Sequence, residues 1–503
     1  MKKLYFMVGS QDLYGEETLK QVKKDAKKMT TFLDKKLKDV VSVELLPTVI
    51  TSPACVEDIR KVNDDDDCVG VITWMHTFSP AKMWIKGLQA LQKPLLHLHT
   101  QANEKLPYDE IDMDFMNLNQ SAHGDREYGY ILARLNIPHE VVAGYYQHED
   151  VIAKITQFAE VAKAIDFSKH LMVATFGNNM RDVAVTDGNR LECEIKYGWE
   201  IKYWGIGEIA ELAEKATDAE VDAKMKEYTD KYTMATDNLD SVRLQARYEV
   251  AFDKFIKETG AGAFTDTFQD LHGLRQLPGI AAQNLMAKGV GFGPEGDYKI
   301  SAFSAVLMKM AEARHGATGF IEDYTYDLTP GKELELASHM LEVPASFARN
   351  KPEIQVHPLG IGGKEDPARL VFDGVTGDAI QCTLVDMGDH FRIICADIEL
   401  VEQPKPMPKL PVARIMYRHK PSFQIGTAGW CYAGGAHHAV VSTELTRSDI
   451  AMFARLTGTE LVTIGDDTTE EDLQKFFKPG IDKRYASVWK ISKRNKSGLH
   501  IKR

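Results

Sequence analysis

Short apolar runs alternate with longer amphipathic segments over the first hundred residues. Residues 4–8, 40–46, 68–74 and 94–97 are the apolar runs, and they predict strands. Residues 17–38, 56–62 and 80–91 repeat apolar positions at helical spacing. This β-α-β-α order favours a parallel sheet covered by helices on both faces. In such sheets ligands bind at the loops after the strands, which here are residues 9–15, 76–80 and 99–101.

The alternation begins again after residue 170, with strand patterns at 171–176, 194–204 and 261–264 and helical patterns at 208–232, 241–258 and 278–288. Beyond about residue 324 the runs at 335–343, 368–372, 379–385 and 391–400 are β-rich and separated by glycine-containing turns. This pattern of β-rich runs and glycine-containing turns is typical of antiparallel strands in a barrel or sandwich.

We therefore predict an α/β fold with three domains. Two Rossmann-like, doubly wound α/β domains are expected at residues 1–170 and 171–320. A β-rich, barrel-like C-terminal domain is expected at residues 321–503. A length of 503 residues agrees with about three domains.

Composition excludes several classes of protein. Apolar residues make up 44% and charged residues 27%, which is typical of a folded globular chain. The 61 Lys and Arg against 73 Asp and Glu give a net charge of -12, which disfavours nucleic acid as a partner. The longest charge-free stretch, residues 421–443, is interrupted by glycines and two histidines, so no membrane span is expected. Six cysteines without a Cys-x-x-Cys pair indicate a reducing, cytoplasmic location.

Two glycine-rich segments resemble a dinucleotide fingerprint. Residues 205–210, GIGEIA, lie between a strand pattern and a helix pattern, but Glu208 would repel a pyrophosphate at the helix start. Residues 291–296, GFGPEG, follow a helical pattern instead of a strand and contain a proline, which indicates a chance match. His148-Glu149 lacks the second histidine of a zinc-protease helix.

Acids and histidines in unusual surroundings are better candidates for chemistry. Glu295 stands in a glycine-rich loop, where the backbone can approach a ligand closely. Glu322 lies among apolar and aromatic residues, where a buried charge must be paired, bound to a metal or shifted in pKa. His339 lies in a predicted strand. His437 and His438 are adjacent, and because neighbours in an extended chain point to opposite sides, only one is expected to reach a given site.

Each of these residues also has an ordinary structural interpretation, as a solvated loop acid, a strand-face acid or a hydrogen-bonded strand histidine. Together, two carboxylates and one or two imidazoles form a mixed oxygen and nitrogen set. Such a set suits octahedral Mn²⁺ better than tetrahedral zinc. Two coordination positions would remain open for neighbouring oxygens of a sugar.

Long motifs then identify a resemblance. The segments that carry it are GSQDLYG at 9–15, WMHTFSPAKMW at 74–84, NLNQSAHG at 117–124, FGNNMR at 176–181, DLHG at 270–273, EGDYK at 295–299, EDYTY at 322–326, SHMLEV at 338–343 and GGAHH at 434–438. With these motifs spread over nearly the whole chain, the sequence strongly resembles the L-arabinose isomerase family.

The resemblance implies an enzyme, a metal-dependent aldose-ketose isomerase. It would convert L-arabinose to L-ribulose, and D-galactose to D-tagatose, through a cis-enediol. Glu295, Glu322, His339 and His438 would hold one Mn²⁺, with Co²⁺ as a substitute, and no nicotinamide is needed. Glu295 and Glu322 would also be the catalytic acid and base, in an order that stays open.

By the resemblance, the family's sugar-binding residues correspond to Gln11, Leu13, Phe78, Gln120, His123, Met180 and Phe268. The resemblance also implies a homohexamer in which the N-terminal part of one subunit completes the site of another.

Three alternatives stay open from the sequence. A direct hydride shift could replace proton transfer between the sugar carbons. A nicotinamide-dependent oxidoreductase could use residues 205–210. A non-catalytic sugar-binding protein could use the cleft between two α/β domains, although that leaves the glutamates and histidines unexplained.

Overall fold

The computed structural model describes residues 1–360 and 362–474. Its strands are β1 (Lys3–Gly9), β2 (Ser42–Leu45), β3 (Cys68–Met75), β4 (Leu95–His99), β5 (Glu140–Ala143), β6 (Met172–Phe176), β7 (Glu200–Trp204), β8 (Thr233–Met234), β9 (Ala263–Asp266), β10 (Gly291–Phe292), β11 (Thr318–Asp327), β12 (Leu334–Ser338), β13 (Glu353–Val356), β14 (Ala368–Asp373), β15 (Gly377–Asp386), β16 (Phe391–Val401), β17 (Ala413–His419), β18 (His438–Ser442) and β19 (Glu460–Ile464).

Its helices are α1 (Gly15–Leu37), α2 (Ser52–Asp64), α3 (Ile85–Ala90), α4 (Met113–Leu118), α5 (Ser121–Arg134), α6 (Glu149–Ser168), α7 (Arg190–Tyr197), α8 (Ile206–Lys215), α9 (Asp218–Lys231), α10 (Leu239–Thr259), α11 (Gly279–Ala287), α12 (Tyr298–Ala311), α13 (Phe423–Ala433), α14 (Arg447–Thr457) and α15 (Glu470–Gln474). Within the described residues, none of these helices has the length and apolarity to cross a membrane.

The first sheet is parallel and has the strand order β2-β1-β3-β4-β5. Alternate residues of β1 enter two different cores. Leu4 and Phe6 pack in the core that contains α1 and α6, whereas Tyr5 and Met7 pack in the core that contains α2 and α5. Helices therefore cover both faces, as the apolar pattern predicts.

The second sheet is also parallel, with the order β10-β9-β6-β7. Its strands carry loops at their carboxyl ends that lead towards the C-terminal domain. The most important is the loop from β10 to α12, because it contains Glu295.

Six antiparallel strands then close into a barrel, in the order β11-β12-β17-β16-β15-β18. Additional strands extend the sheet: β19 pairs with β16, and β14, β13 and β8 continue beyond β17. Two α/β units followed by a barrel-like domain confirm the predicted fold class. The part of the predicted third domain at residues 475–503 lies outside the described residues.

The predicted long helix at residues 208–232 is wrong, because α8 ends at Lys215 and α9 begins at Asp218. Thr217 separates them as an N-cap. Its hydroxyl accepts from the backbone N–H of Glu220, whose carboxylate accepts from the N–H of Thr217 in return. This reciprocal capping box satisfies the first N–H groups of a new helix. The predicted strand at 194–204 is too long, since residues 194–197 finish α7.

The prediction that residues 291–296 follow a helix and no strand needs correction, whereas their interpretation as a chance match to the dinucleotide fingerprint stays a prediction. Gly291 lies in the short strand β10, and the segment leads directly into α12. A Cβ at Gly291 would lie 2.1 Å from the carbonyl oxygen of Ser301, and one at Gly293 would lie 2.6 Å from that of Asp297. The glycines are needed because α12 packs against this loop.

Candidate active site

Three of the four predicted metal ligands come together at neighbouring strands of the barrel. Glu322 on β11 pairs directly with His438 on β18 and with Ser338, the last residue of β12, and His339 follows Ser338. Directly opposed residues of antiparallel strands project from the same face of the sheet, which brings Glu322 and His438 together. His339 reaches them from just beyond the end of β12, where its Nε2 lies 3.5 Å from Oε2 of Glu322.

Glu295 reaches the same place from the second sheet. Oε2 of Glu295 lies 3.8 Å from Nε2 of His438. The backbone of Glu295 has a φ of 62°, a left-handed conformation that costs a residue with a side chain about 1–3 kcal/mol. Its carbonyl accepts a 2.8 Å hydrogen bond from the N–H of Met180, which holds the loop in this conformation. Such strain is characteristic of functional positions.

In both His339 and His438, Nε2 faces a glutamate and Nδ1 bonds to a second carboxylate. Nδ1 of His438 bonds to Oδ2 of Asp297 at 3.0 Å, and Nδ1 of His339 bonds closely to the carboxylate of Glu342. Nε2 of His438 is buried and has no hydrogen-bond partner among the residues that the structure describes. A buried nitrogen lone pair beside a carboxylate fits a cation between them, and the carboxylate-histidine arrangement is the usual support of a metal ligand.

The electrostatics of the site follow from burial and from these carboxylates. Burial raises the pKa of Glu322 above its ordinary value, although His339 and His438 act in the opposite direction. Burial alone would lower the pKa of His339, but the charge and hydrogen bond of Glu342 outweigh it and raise that pKa to about 9. The negative charges of Glu322 and Glu342 thus make this site attract positive charge.

His437 also reaches the site, so the expectation that only one of the adjacent histidines would do so is wrong. Nε2 of His437 lies 3.7 Å from Oε1 of Glu322. His437 precedes the first residue of β18, so strict strand alternation does not apply to it. Burial, with a contribution from the charge of His438, lowers its pKa to about 4. Glu295, His437 and His438 can place their ligand atoms within 4.8 Å of one another.

Three supporting residues were not singled out from the sequence. Asp297 and Glu342 orient the two histidines, and Lys299 is almost completely buried with its ammonium 3.3 Å from Asp297. The Lys299 ammonium also donates to the carbonyls of Val185, Thr186 and Asp187. The sequence contains a signal for Glu342 and Asp297, since Glu342 follows His339 by three residues and Asp297 follows Glu295 by two.

Five of the predicted sugar-binding residues gather at the carboxyl edge of the first sheet. The rings of Phe78 and His123 stack with centroids 4.4 Å apart. The amide of Gln11 donates to the carbonyl of Phe78, and Nδ1 of His123 lies 3.0 Å from Oε1 of Gln120. Leu13 is 82% exposed.

The other two predicted sugar-binding residues belong to the second sheet. Met180 follows β6 and is joined through its N–H to the carbonyl of Glu295. Phe268 follows β9 and packs against the apolar core of that unit. The chain thus carries two separate groups of predicted sugar-binding residues, one on each parallel sheet.

Residues 205–210, the other segment that resembles a dinucleotide fingerprint, have a different environment. Among the described residues, a Cβ at Gly205 or at Gly207 would meet no atom within 4 Å beyond its own neighbours in the chain and helix, so close packing does not require either glycine. Glu208 lies in the first turn of α8, as the sequence suggests. A dinucleotide fingerprint needs its glycines for a tight turn and close packing, which this segment does not show.

Comparison with known proteins agrees with this arrangement. Sequence profiles match the L-arabinose isomerase N-terminal domain over residues 1–170, the L-arabinose isomerase central domain over residues 172–313 and the L-arabinose isomerase C-terminal domain over residues 317–460.

Curated relatives match along most of their length. The L-arabinose isomerase of Halalkalibacterium halodurans is 48% identical over 470 residues, covering 92% of this chain and 94% of the relative. The L-arabinose isomerase of Thermotoga maritima is 47% identical over 473 residues, covering 94% and 95%. The L-arabinose isomerase of Oceanobacillus iheyensis is 47% identical over 469 residues, covering 92% and 98%. The chain therefore belongs to the L-arabinose isomerase family and is a sugar isomerase.

Proposed function

We propose that this enzyme isomerises L-arabinose to L-ribulose at the site formed by Glu295, Glu322, His339 and His438. The observation that carries the proposal is the convergence of two glutamates and two buried histidines from two domains. The Nε2 atoms of both histidines face glutamate oxygens, and both Nδ1 atoms are held by carboxylates. This arrangement is costly in the interior of a protein unless it serves chemistry.

The same four side chains would hold one divalent ion. Two carboxylates and two imidazoles suit Mn²⁺, with Co²⁺ as a substitute. When bound, the ion would supply Lewis-acid polarisation of the sugar carbonyl. His437 lies close enough to join this set or to contact the substrate beside it.

The glutamates would carry the protons of the reaction. One removes the proton from C2 of the open-chain aldose, and a cis-enediol forms. The other moves the proton between the oxygens of C1 and C2, after which a proton is delivered to C1. Each step of this kind is worth about 10²- to 10⁴-fold in rate.

We further propose that the two groups of sugar-binding residues act in one site formed by two subunits. Met180 and Phe268 lie on the subunit that supplies Glu295. Gln11, Leu13, Phe78, Gln120 and His123 would come from a neighbour in a homohexamer. The exposure of Leu13 supports this proposal, because an apolar side chain that is 82% exposed gains free energy when a partner covers it. The free state of all six cysteines is compatible with a cytoplasmic location, which we also propose.

Activity on D-galactose, giving D-tagatose, is proposed as well. D-Galactose carries one further CH₂OH at the end of the chain that is remote from the reacting carbons. A difference of this size in a pocket changes discrimination by about 1–3 kcal/mol, so both sugars are expected to react at different rates.

A chelation experiment tests the proposal. Ketose formation from L-arabinose is measured before chelation, after exhaustive chelation and after Mn²⁺ is added back. We expect loss of activity on chelation and recovery with Mn²⁺, whereas activity that survives complete removal of metal would contradict the metal role. Solvent tritium in C1 of the product supports proton transfer, and its complete absence supports a hydride shift instead.

A further inference from the structure

A further buried imidazole nitrogen lies far along the chain from the candidate active site. Nε2 of His97 has no hydrogen-bond partner within the described part of the chain and lies 3.2 Å from Oδ1 of Asp125. Nδ1 of His99 lies 2.5 Å from the other oxygen, Oδ2, of the same carboxylate. The three side chains can place their ligand atoms within 4.8 Å of one another.

The positions of the three residues follow from the fold. His97 and His99 are two residues apart on β4, so their side chains project from the same face of the strand. Asp125 lies in the second turn of α5, which packs over the end of β3 and β4. The backbone N–H of Met75 donates to Oδ1 of Asp125 at 3.3 Å, and this bond fixes the carboxylate.

The ring of His97 is held in place by its neighbours. Nδ1 of His97 lies 3.1 Å from the hydroxyl of Thr73, which also lies 3.4 Å from the carbonyl oxygen of Leu96. Nε2 is then the ring nitrogen that faces Oδ1 of Asp125. The ring of Tyr128 packs against the ring of His97 with centroids 4.9 Å apart, which restricts rotation of the imidazole.

When Nε2 of His97 is deprotonated, its lone pair faces the carboxylate oxygen, and a cation bound between them removes the repulsion. The 3.2 Å separation does not have hydrogen-bond alignment. It does match two ligands of one ion, because bonds of 2.0–2.1 Å in tetrahedral geometry place two donors roughly 3.3 Å apart. The carboxylate of Asp125 thus contacts both imidazoles, one through each of its oxygens. His438 beside Glu295 has the same unpartnered Nε2.

The site is accessible from one side. The His99 side chain is 36% exposed, whereas those of His97 and Asp125 are buried. His99 lines a cleft of about 260 Å³ together with Gln101, Glu104 and Tyr145. Water from this cleft could complete the coordination of an ion that the protein holds through three ligands.

We propose that His97, His99 and Asp125 form a second metal site, for a transition-metal ion of the Zn²⁺ class. Two imidazoles and one carboxylate, with one open position, are a characteristic Zn²⁺ ligand set. The set contains too few oxygens to favour Mg²⁺ or Ca²⁺. A bound ion would link α5 to the end of β4. Gln120 is the N-cap of α5, and His123 lies in its first turn. The proposal is independent of the chemistry assigned to Glu295 and Glu322.

The test uses full-length untagged protein in which the first site has been removed by the changes His339→Asn and His438→Asn. After stripping with chelator and dialysis against buffered Zn²⁺, the metal content is measured by mass spectrometry. We expect one Zn²⁺ per chain in this background and none after the further change Asp125→Asn or His99→Asn. His148→Asn is the matched control, because His148 bonds to Glu104 of the same cleft outside the three ligands. The control should retain the ion.

A second readout does not depend on the fold of the triple variants. Co²⁺ added to the stripped His339→Asn/His438→Asn protein should give a visible absorption band of an ion bound by nitrogen and oxygen, and Zn²⁺ should displace it. Thermal unfolding of the same protein should move to higher temperature with Zn²⁺. Absence of a bound ion in this background, or its retention after both Asp125→Asn and His99→Asn, would overturn the proposal.

Discussion

Nδ1 of His438 lies 3.0 Å from Oδ2 of Asp297, and both side chains are completely buried. Asp297 is also the N-cap of α12, where Oδ1 accepts from the N–H of Ile300. Burial opposes ionisation of Asp297, but the charge of Lys299 and the hydrogen bond with His438 hold its pKa below the ordinary value. One carboxylate thus begins the helix after Glu295 and orients the imidazole on the barrel.

The change Asp297→Asn should weaken metal binding and activity without unfolding the protein. Asparagine also caps helices, and Lys299 keeps three carbonyl acceptors. Loss of a carboxylate behind a metal-binding histidine costs about 10- to 100-fold in metal affinity or activity. Mn²⁺ titration and ketose assays measure the effect, with Asp378→Asn on the surface as the control. Unchanged affinity and turnover in the Asp297 variant would contradict the orienting role.

Replacement of either proposed acid-base residue should abolish nearly all turnover. Glu295→Gln and Glu322→Gln keep the size of the side chain and remove the ability to move a proton, so we expect a loss of about 10²- to 10⁴-fold or more. Ketose formation is measured together with circular dichroism. Glu399→Gln is a matched control on the same barrel, since Glu399 forms an exposed ion pair with Arg418. Turnover at the parental rate in either active-site variant would contradict the assignment.

Mixing of subunits tests the shared site. His123→Ala damages the group on the first sheet and Glu295→Gln damages the group on the second, so each variant alone should be inactive. If a site uses the first sheet of one subunit and Glu295 of another, random co-assembly at equal amounts restores about a quarter of the sites. Co-expression with two different tags, followed by tandem purification and a ketose assay, measures the recovery. If every site lies within one subunit, co-assembly restores no activity.

Much of the fold was predictable because the apolar periodicities were clear. β1, β3 and β4 form continuous apolar runs since both faces of a parallel sheet are buried. The break at Thr217 was missed because the helical pattern continues on both sides of the cap. β10 was missed because a strand of two residues, Gly291 and Phe292, is too short to show a periodicity. In both cases a local cap or a tertiary contact decided the structure.

The site was predictable in part. The resemblance supplied Glu295, Glu322, His339 and His438. The register of β11 and β18 brings Glu322 and His438 together, and His339 follows the end of β12 beside them. The approach of His437 could not be predicted, because it depends on where β18 begins. The pairing of Asp125 with His97 and His99 depends on how α5 packs against β4, which no pattern in the sequence specifies.

Asp58 on α2 gives a pH-dependent prediction that is independent of the active site. Burial, with the charge of Glu57, raises its pKa from 3.8 to about 6, although Lys61 opposes the shift. A carboxyl group whose pKa is raised in the folded state disfavours folding once it ionises. The free energy of unfolding is therefore not reduced by Asp58 below pH 3.8, and it declines as the pH rises to about 6. Asp58→Asn stays neutral and should therefore increase the free energy of unfolding above pH 6 by about 1–2 kcal/mol, after allowance for solvent screening. Thermal or denaturant unfolding at pH 7.5 and near pH 4 measures the change, with the exposed Asp66→Asn as the control. The gain should shrink at the lower pH, and an equal gain at both values would show that packing, not ionisation, is the cause.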